Sequence, residues 1–235
     1  MSVESSMKVV LMVGGKGQRL RPFTHVIPKP LLPVGDKPIL HVTIDQLKRH
    51  GVNEIYLVTG YGKDLIKAYF QDGQKFGVTI NYVEEEVPLG TAGGLAYLKG
   101  VIKEPFLLMN GDLLTSLNYS EFFKHHLESG SDLTVAVRKY MIEIPYGVVE
   151  MNGSKIIGIS EKPQVFRYIN AGIYSVSVEI LDLVPMGRMD MTELIGKCLT
   201  LGRHVIPFVF EGEWFDIGMA EDYTQANKVS EGIFQ

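Results

Sequence analysis

The chain has 235 residues, 46% of them hydrophobic and 21% charged, with a formal net charge of −4. These values fit an ordinary globular protein with a sizeable core, and the acidic balance speaks against a nucleic-acid partner, which needs a basic footprint. Cys198 is the only cysteine, so no internal disulfide can form; with no secretory signal and no apolar run near the ~20 residues that span a bilayer, the expected home is the reducing cytoplasm, away from membranes.

Met1 to Ser6 is short and polar and reads as a disordered lead. Lys8 to Val13 is an apolar run that stops at Gly14, as a buried strand would. Pro38 to His50 has apolar residues at helical spacing, with Pro near its start and Gly51 just past its end. Glu54 to Thr59 predicts a strand, Lys63 to Gln71 a helix, and Val78 to Val83 another strand. Thr91 to Leu98 predicts a helix, and Pro105 to Met109 a buried strand. Alternating strands and helices imply βαβ units and a mostly parallel sheet.

After Asp112 the texture changes. Leu133 to Arg138, Gly147 to Met151, Lys155 to Ile159 and Phe166 to Tyr174 read as strands with short connections, hence an antiparallel, sheet-rich second half. Helices return at Glu179 to Val184, at Thr192 to Leu201 and after Asp216. The His125-His126 pair reads as part of a helix surface. No flexible linker divides the chain, so a single domain over 7–235 is expected, with a nucleotide half at about 7–112 and a sugar-phosphate half at about 113–235.

Three stretches carry chemistry. Val13 to Thr24 (VGGKGQRLRPFT) follows a strand and holds Gly14, Gly15 and Gly17, whose backbone N–H groups can approach a phosphate closely. Arg19 adds a planar fork of donors that matches phosphate oxygens. The stretch is not a dinucleotide fingerprint, because Leu20 stands where the third glycine would be. Nor is it a Walker A loop, because Gly17 follows Lys16 in place of Ser or Thr. A strand-ending turn with incidental basic residues is the alternative. In Pro28-Lys29-Pro30 the flanking prolines hold Lys29 on a stiff segment, which suits a lysine aimed at a phosphate.

Asn110-Gly111-Asp112 puts a carboxylate just past a buried strand, where ligands bind in open α/β sheets. Asp216 lies between large apolar residues. One or two carboxylates plus substrate phosphates is the usual Mg²⁺ arrangement. A turn residue or helix cap for Asp112, and an N-cap of the last helix for Asp216, are the competing readings.

Taken together, GGKGQRLRPFT at 14–24, PKPLLPVGDKPIL at 28–40, PLGTAGG at 88–94, NGD at 110–112, PYGVVE at 145–150, EKP at 161–163, NAGIY at 170–174 and WFDIG at 214–218 resemble the sugar-1-phosphate nucleotidylyltransferases. The resemblance runs from about Lys8 to about Asn227. It is nearest to the guanylyltransferase branch, the mannose-1-phosphate and glucosamine-1-phosphate guanylyltransferases, some of which carry a CBS-domain pair ahead of the catalytic part; only Met1 to Met7 precede the first strand here.

The resemblance implies a Rossmann-like α/β three-layer sandwich of the glycosyltransferase-A type with a mixed, mostly parallel central sheet. It implies that Met12, Gly14, Gly15, Gly17, Gln18 and Arg19 handle the nucleotide triphosphate, with Glu85, Gly90 and Thr91 where the base is read. It assigns Lys29 to the reacting phosphates, and Asn110, Gly147, Glu161, Lys162 and Asn170 to the sugar phosphate. Asp112 and Asp216 would hold Mg²⁺. Gln18 departs from the family, which usually has Thr there. The implied partners are a nucleoside triphosphate and a sugar 1-phosphate, in a homodimer or higher homo-oligomer.

The implied reaction joins these two substrates into an NDP-sugar and pyrophosphate by in-line displacement. Arg19, Lys29, Lys162 and Asp112 would be its catalytic groups. Glu84-Glu85-Glu86 reads either as a solvated acidic run or as a base reader. A carboxylate at 85 can accept the two adjacent donors of guanine, which favours GTP over UTP or dTTP. A catalytically silent sugar-nucleotide regulatory subunit is the expectation of another class. Retention of Arg19, Lys29, Asp112, Lys162 and Asp216 speaks against it.

Overall fold

The computed structural model describes residues 7–233; the expected Met1–Ser6 lead lies outside them. The chain opens with β1 (Lys8–Met12), whose Val9, Val10 and Leu11 are fully buried. A small hairpin of β2 (Pro33–Val34) and β3 (Lys37–Pro38) leads into α1 (Ile39–Arg49), after which come β4 (Glu54–Thr59), α2 (Lys63–Phe70) and β5 (Thr79–Glu84). Next come β6 (Phe106–Asn110), β7 (Leu113–Thr115), α3 (Tyr119–Ser129) and β8 (Leu133–Glu143). The chain continues through β9 (Val148–Asn152), β10 (Lys155–Ser160) and β11 (Gln164–Val176), then α4 (Met191–Thr200), β12 (Val205–Val209), β13 (Trp214–Asp216) and α5 (Ala220–Ile233).

Seven strands form the central sheet in the order β12-β8-β11-β6-β1-β4-β5. Only β11 runs against its neighbours; the other pairings are parallel. The sheet is therefore mixed and mostly parallel. Side chains alternate across it, as the period of a strand demands. On β1, Val9 and Leu11 pack with Leu40, Ile44, Ile66, Phe70 and Phe122 from α1, α2 and α3. Val10 faces the opposite way, toward Leu95, Ile180, Leu194 and Cys198. Two apolar layers thus flank one sheet, giving the three-layer α/β arrangement. Among the described residues no helix is long and apolar enough to cross a membrane.

Several expectations need correction. Residues 91–98 do not form a regular helix; only Gly93–Leu98 coil, as a 3-10 turn. Two consecutive glycines weaken an α-helix, and here both are pressed against neighbours: a Cβ on Gly93 would meet the Gly187 carbonyl at 2.4 Å. Residues 179–184 likewise close into a 3-10 turn, Val178–Leu183. The four strands read in the second half do pair antiparallel, β8 with β11 and β9 with β10, but β12, not read as a strand from sequence, joins β8 in parallel. The His125-His126 pair does lie on α3, but His126 is 1% exposed and bonds Thr134 and Ser131 inside the protein, so only His125 reaches the surface.

Candidate active site

The sheet brings three strand ends to one place. β1 and β6 run side by side in parallel, with Met12 level with Asn110. Where β1 leaves the sheet the chain turns through Gly14 and Gly15, and where β6 ends it turns through Gly111. Gly111 donates its N–H to the Met12 carbonyl at 3.0 Å. A Cβ on Gly111 would lie 2.2 Å from Val13 Cγ1, so the close approach of these two strand ends requires glycine.

Asp216 reaches the same point from the far end of the sequence. β13 pairs antiparallel with β7, setting Asp216 opposite Leu113. The Ile217 N–H then donates to the Asp112 carbonyl at 3.1 Å. Asp112 and Asp216 are thereby neighbours across a two-stranded ribbon. Burial pushes the Asp216 carboxyl above its usual range, and the Asp112 charge adds to the effect, while Lys29 and Arg19 oppose it.

Lys29 lies in a 3-10 turn framed by Pro28 and Pro30, nine-tenths buried, and its ammonium donates to Asp112 Oδ2. Asp112 Oδ1 is buried with no hydrogen-bond partner. Arg19 packs its guanidinium over Gly218, where a Cβ would lie 3.2 Å from Nη2.

A cleft of about 370 Å³ joins these groups. Of the expected residues, Met12, Gly14, Gly15, Arg19, Lys29, Glu85, Gly90, Thr91, Asn110, Asp112 and Asp216 line it. Gly17 and Gln18 do not; they lie in the turn that carries Arg19. Gly147, Glu161, Lys162 and Asn170 are also outside this lining. Gly147 and Glu161 face each other: a Cβ on Gly147 would lie 3.2 Å from Glu161 Oε2. Lys162 sits beside them with a left-handed backbone, φ 44°, unusual for a non-glycine residue and frequent at functional positions. Asn170 bonds the Tyr174 hydroxyl and the Gly172 N–H, and Gly172 in turn abuts Asn110.

The acidic triplet divides. Glu84 is exposed and bonds Lys63 and Lys67, which hold its carboxyl down at about 2. Glu85 turns into the cleft. Burial raises its pKa against the opposing Leu89 N–H, and its Oε1 is buried and unpartnered. Gly94 makes the room: a Cβ there would lie 2.5 Å from that oxygen. The Gly90-Thr91 wall is braced from α4, where Asp190 Oδ1 accepts the Thr91 N–H and Thr91 Oγ1 accepts the Met191 N–H. Gly94, Gly111 and Asp190 were not singled out from sequence. The glycine pair in PLGTAGG and the glycine of Asn110-Gly111-Asp112 were the available signals for the first two; none pointed to Asp190.

Among the described residues no cluster of three or more His, Cys, Asp or Glu side chains forms an all-protein cation cage. Two carboxylates beside a basic glycine turn, beyond the strand ends of an open α/β sheet, are instead an arrangement chemically suited to a phosphorylated ligand. The chain belongs to the nucleotidyl transferase family, whose sequence profile matches residues 8–231.

Among its relatives, the mannose-1-phosphate guanylyltransferase catalytic subunit beta of Xenopus tropicalis is 33% identical over 225 residues, 92% of this chain and 62% of that protein. The UTP–glucose-1-phosphate uridylyltransferase of Synechocystis sp. is 35% identical over 242 residues, 94% of this chain and 62% of that protein. The chain thus spans about 62% of the length of these curated relatives. Among solved structures, HddC from Yersinia pseudotuberculosis is 28% identical with a TM-score of 0.75, covering 94% of this chain and 98% of that one. HddC has also been solved in complex with GMP-PN.

Proposed function

We propose that this chain transfers a nucleotidyl group from a nucleoside triphosphate to a sugar 1-phosphate, releasing pyrophosphate. The observation that carries the proposal is the meeting of Asp112, Asp216, Lys29 and Arg19 in one cleft beside the Gly14-Gly15 turn. A phosphate oxygen of the sugar phosphate attacks the α-phosphorus; the bond to the bridging oxygen breaks, and pyrophosphate leaves with the electron pair. The barrier is the approach of two polyanions, so positioning and charge neutralisation do the catalysis.

Backbone N–H groups at 14–15 and the Arg19 guanidinium hold the departing phosphates. Lys29, already fixed by Asp112, places a cation at the cleft floor. Lys162 neutralises the acceptor phosphate. The residues also fit Mg²⁺: Asp112 Oδ1 is an orphaned acceptor, and the Asp216 carboxyl lies close enough to feel its charge. Asp112 and Asp216 would hold the ion, which supplies charge neutralisation at the α-phosphate.

GTP is the favoured nucleotide. Glu85 presents a desolvated carboxylate in the cleft, and the guanine N1–H and N2–H₂ are adjacent donors that it can accept together. The guanylyltransferase relative and the guanine nucleotide bound by HddC support this reading. The Synechocystis relative keeps UTP as the second reading. Pyrophosphate release measured with GTP, UTP, dTTP, CTP and ATP against a panel of sugar 1-phosphates tests both levels. Preference for GTP supports the base assignment, preference for UTP or dTTP defeats it, and no release with any pair defeats the activity.

A further inference from the structure

Pro88, Leu89, Gly90 and Thr91 form one wall of the cleft. That wall is laced to residues 187–191, which lead into α4. The Met189 N–H donates to the Leu89 carbonyl at 2.9 Å, and the Met189 carbonyl accepts the Ala92 N–H at 2.9 Å and the Gly93 N–H at 3.1 Å. Asp190 Oδ1 accepts the Thr91 N–H at 3.1 Å, and the Met191 N–H donates to Thr91 Oγ1 at 2.8 Å. The two segments also touch. A Cβ on Gly90 would lie 2.6 Å from Asp190 Oδ1 and 2.6 Å from the Met189 carbonyl oxygen.

α4 is a firm mount for this lacing. Its Met191, Leu194 and Cys198 are buried in the core, and Glu193 Oε2 accepts the Asp190 N–H at 2.6 Å at the helix start. Asp190 therefore stands between a helix anchored in the core and the wall of the cleft. Its other oxygen meets Arg188 at 3.0 Å, an exposed ion pair that contributes little. On the cleft side, the Leu89 N–H bonds the Glu85 carboxylate. Leu89 is thus held by Glu85 on one side and by Met189 on the other.

We propose that Asp190 is a positioning residue for nucleobase recognition: by holding the Thr91 N–H it sets the Gly90-Thr91 wall against which the base lies. This role rests on the reading above, in which the base sits between Glu85 and Gly90. Asp190 is not part of the cleft lining and acts through the backbone of residues 90–91. A wall fixed before the base arrives need not be ordered on binding, which preserves affinity. The Thr91 N–H needs only an acceptor oxygen at that point. Reach, and not charge, therefore carries the role.

Titration calorimetry without sugar phosphate tests this apart from catalysis. It compares the best-bound of GTP, UTP and dTTP with inorganic tripolyphosphate, which has no base and probes the Gly14-Gly15 turn alone. Asp190→Ala should weaken the nucleotide about threefold to tenfold, the worth of one hydrogen bond, and leave tripolyphosphate unchanged. Asp190→Ser keeps a good helix cap but is too short to reach Thr91; it should match Asp190→Ala, and it serves if that variant does not fold. Asp190→Asn keeps an acceptor oxygen and should restore native affinity. In the unliganded chain, amides 91–93 should exchange faster in Asp190→Ser than in Asp190→Asn. Native nucleotide affinity in folded Asp190→Ser, or equal weakening of both ligands, would overturn the role of Asp190 and leave the cleft reading intact. A native chain that binds no nucleotide better than tripolyphosphate would overturn the base reading, and this role with it.

Discussion

Lys29 holds one oxygen of Asp112 while the other oxygen, Oδ1, is buried without a partner. A carboxylate half-satisfied in this way is costly unless something else completes it. The neighbouring Asp216 carboxylate worsens the repulsion. On the proposed function, an added cation at Asp112 Oδ1 and Asp216 would relieve both. Replacing either acid by Asn should therefore lower turnover by ~10²–10³ or more while leaving the fold intact, because a neutral amide removes the charge at nearly constant shape. Steady-state pyrophosphate release with a thermal melt checks this, and near-native rates in either variant would remove the pair from the chemistry.

Glu85 has its place because Gly94 has no side chain. In Gly94→Ala the new Cβ would lie 2.5 Å from Glu85 Oε1 and 2.6 Å from Val58 Cγ1. Overpacking of this kind costs ~1–3 kcal/mol. The displaced carboxylate should also narrow the ratio of kcat/KM for GTP over UTP by about tenfold or more. A variant that keeps the native ratio would show that Glu85 does not read the base.

Thr24 braces the glycine turn. Its hydroxyl donates to the Gly17 carbonyl at 2.7 Å, the side chain is buried, and Tyr61 holds the Thr24 carbonyl from behind. The next residues carry Arg19. Thr24→Val keeps the shape and loses the bond, a change of ~0.5–1.5 kcal/mol. The nucleotide KM should rise several-fold, the sugar-phosphate KM should stay put, and Thr24→Ser should restore the native value. Equal shifts in both KM values would mean general loosening.

His126 makes stability depend on pH. Its imidazole bonds Thr134 and Ser131 through Nδ1 and Ser177 through Nε2, and burial lowers its pKa from 6.5 to about 4. Between those values the unfolded chain binds a proton that the folded chain refuses. The contribution is full above pH 6.5 and is lost as pH falls toward 4, on the order of 3 kcal/mol in all. Urea unfolding of the native chain and His126→Gln across that window should show the native chain losing more stability on acidification. Parallel curves would contradict the assignment.

Legibility from sequence followed local physics. The strand at Glu54 to Thr59 matches its observed bounds because its apolar run is flanked by clear breakers. Asp112 was legible as a site residue because a buried strand ends just before it. Its meeting with Asp216 depends on the three-residue pairing of β13 with β7, across about a hundred residues, and no local pattern encodes that. His126 was misread because a helix with buried Phe122 and Phe123 also turns position 126 inward, where three hydroxyls replace water. The 3-10 turn at 93–98 reflects tertiary demand: Gly93 and Gly94 serve the loop and Glu85.

The central claim is that residues 112 and 216 share a divalent ion with the triphosphate. It is tested most directly by crystals grown with Mn²⁺ and a non-hydrolysable GTP analogue, read by anomalous scattering. The account predicts one Mn²⁺ peak within bonding distance of both the Asp112 and Asp216 carboxylates, with the triphosphate against the Gly14-Gly15 backbone. A peak bound to neither acid, or a triphosphate seated away from that turn, would contradict it.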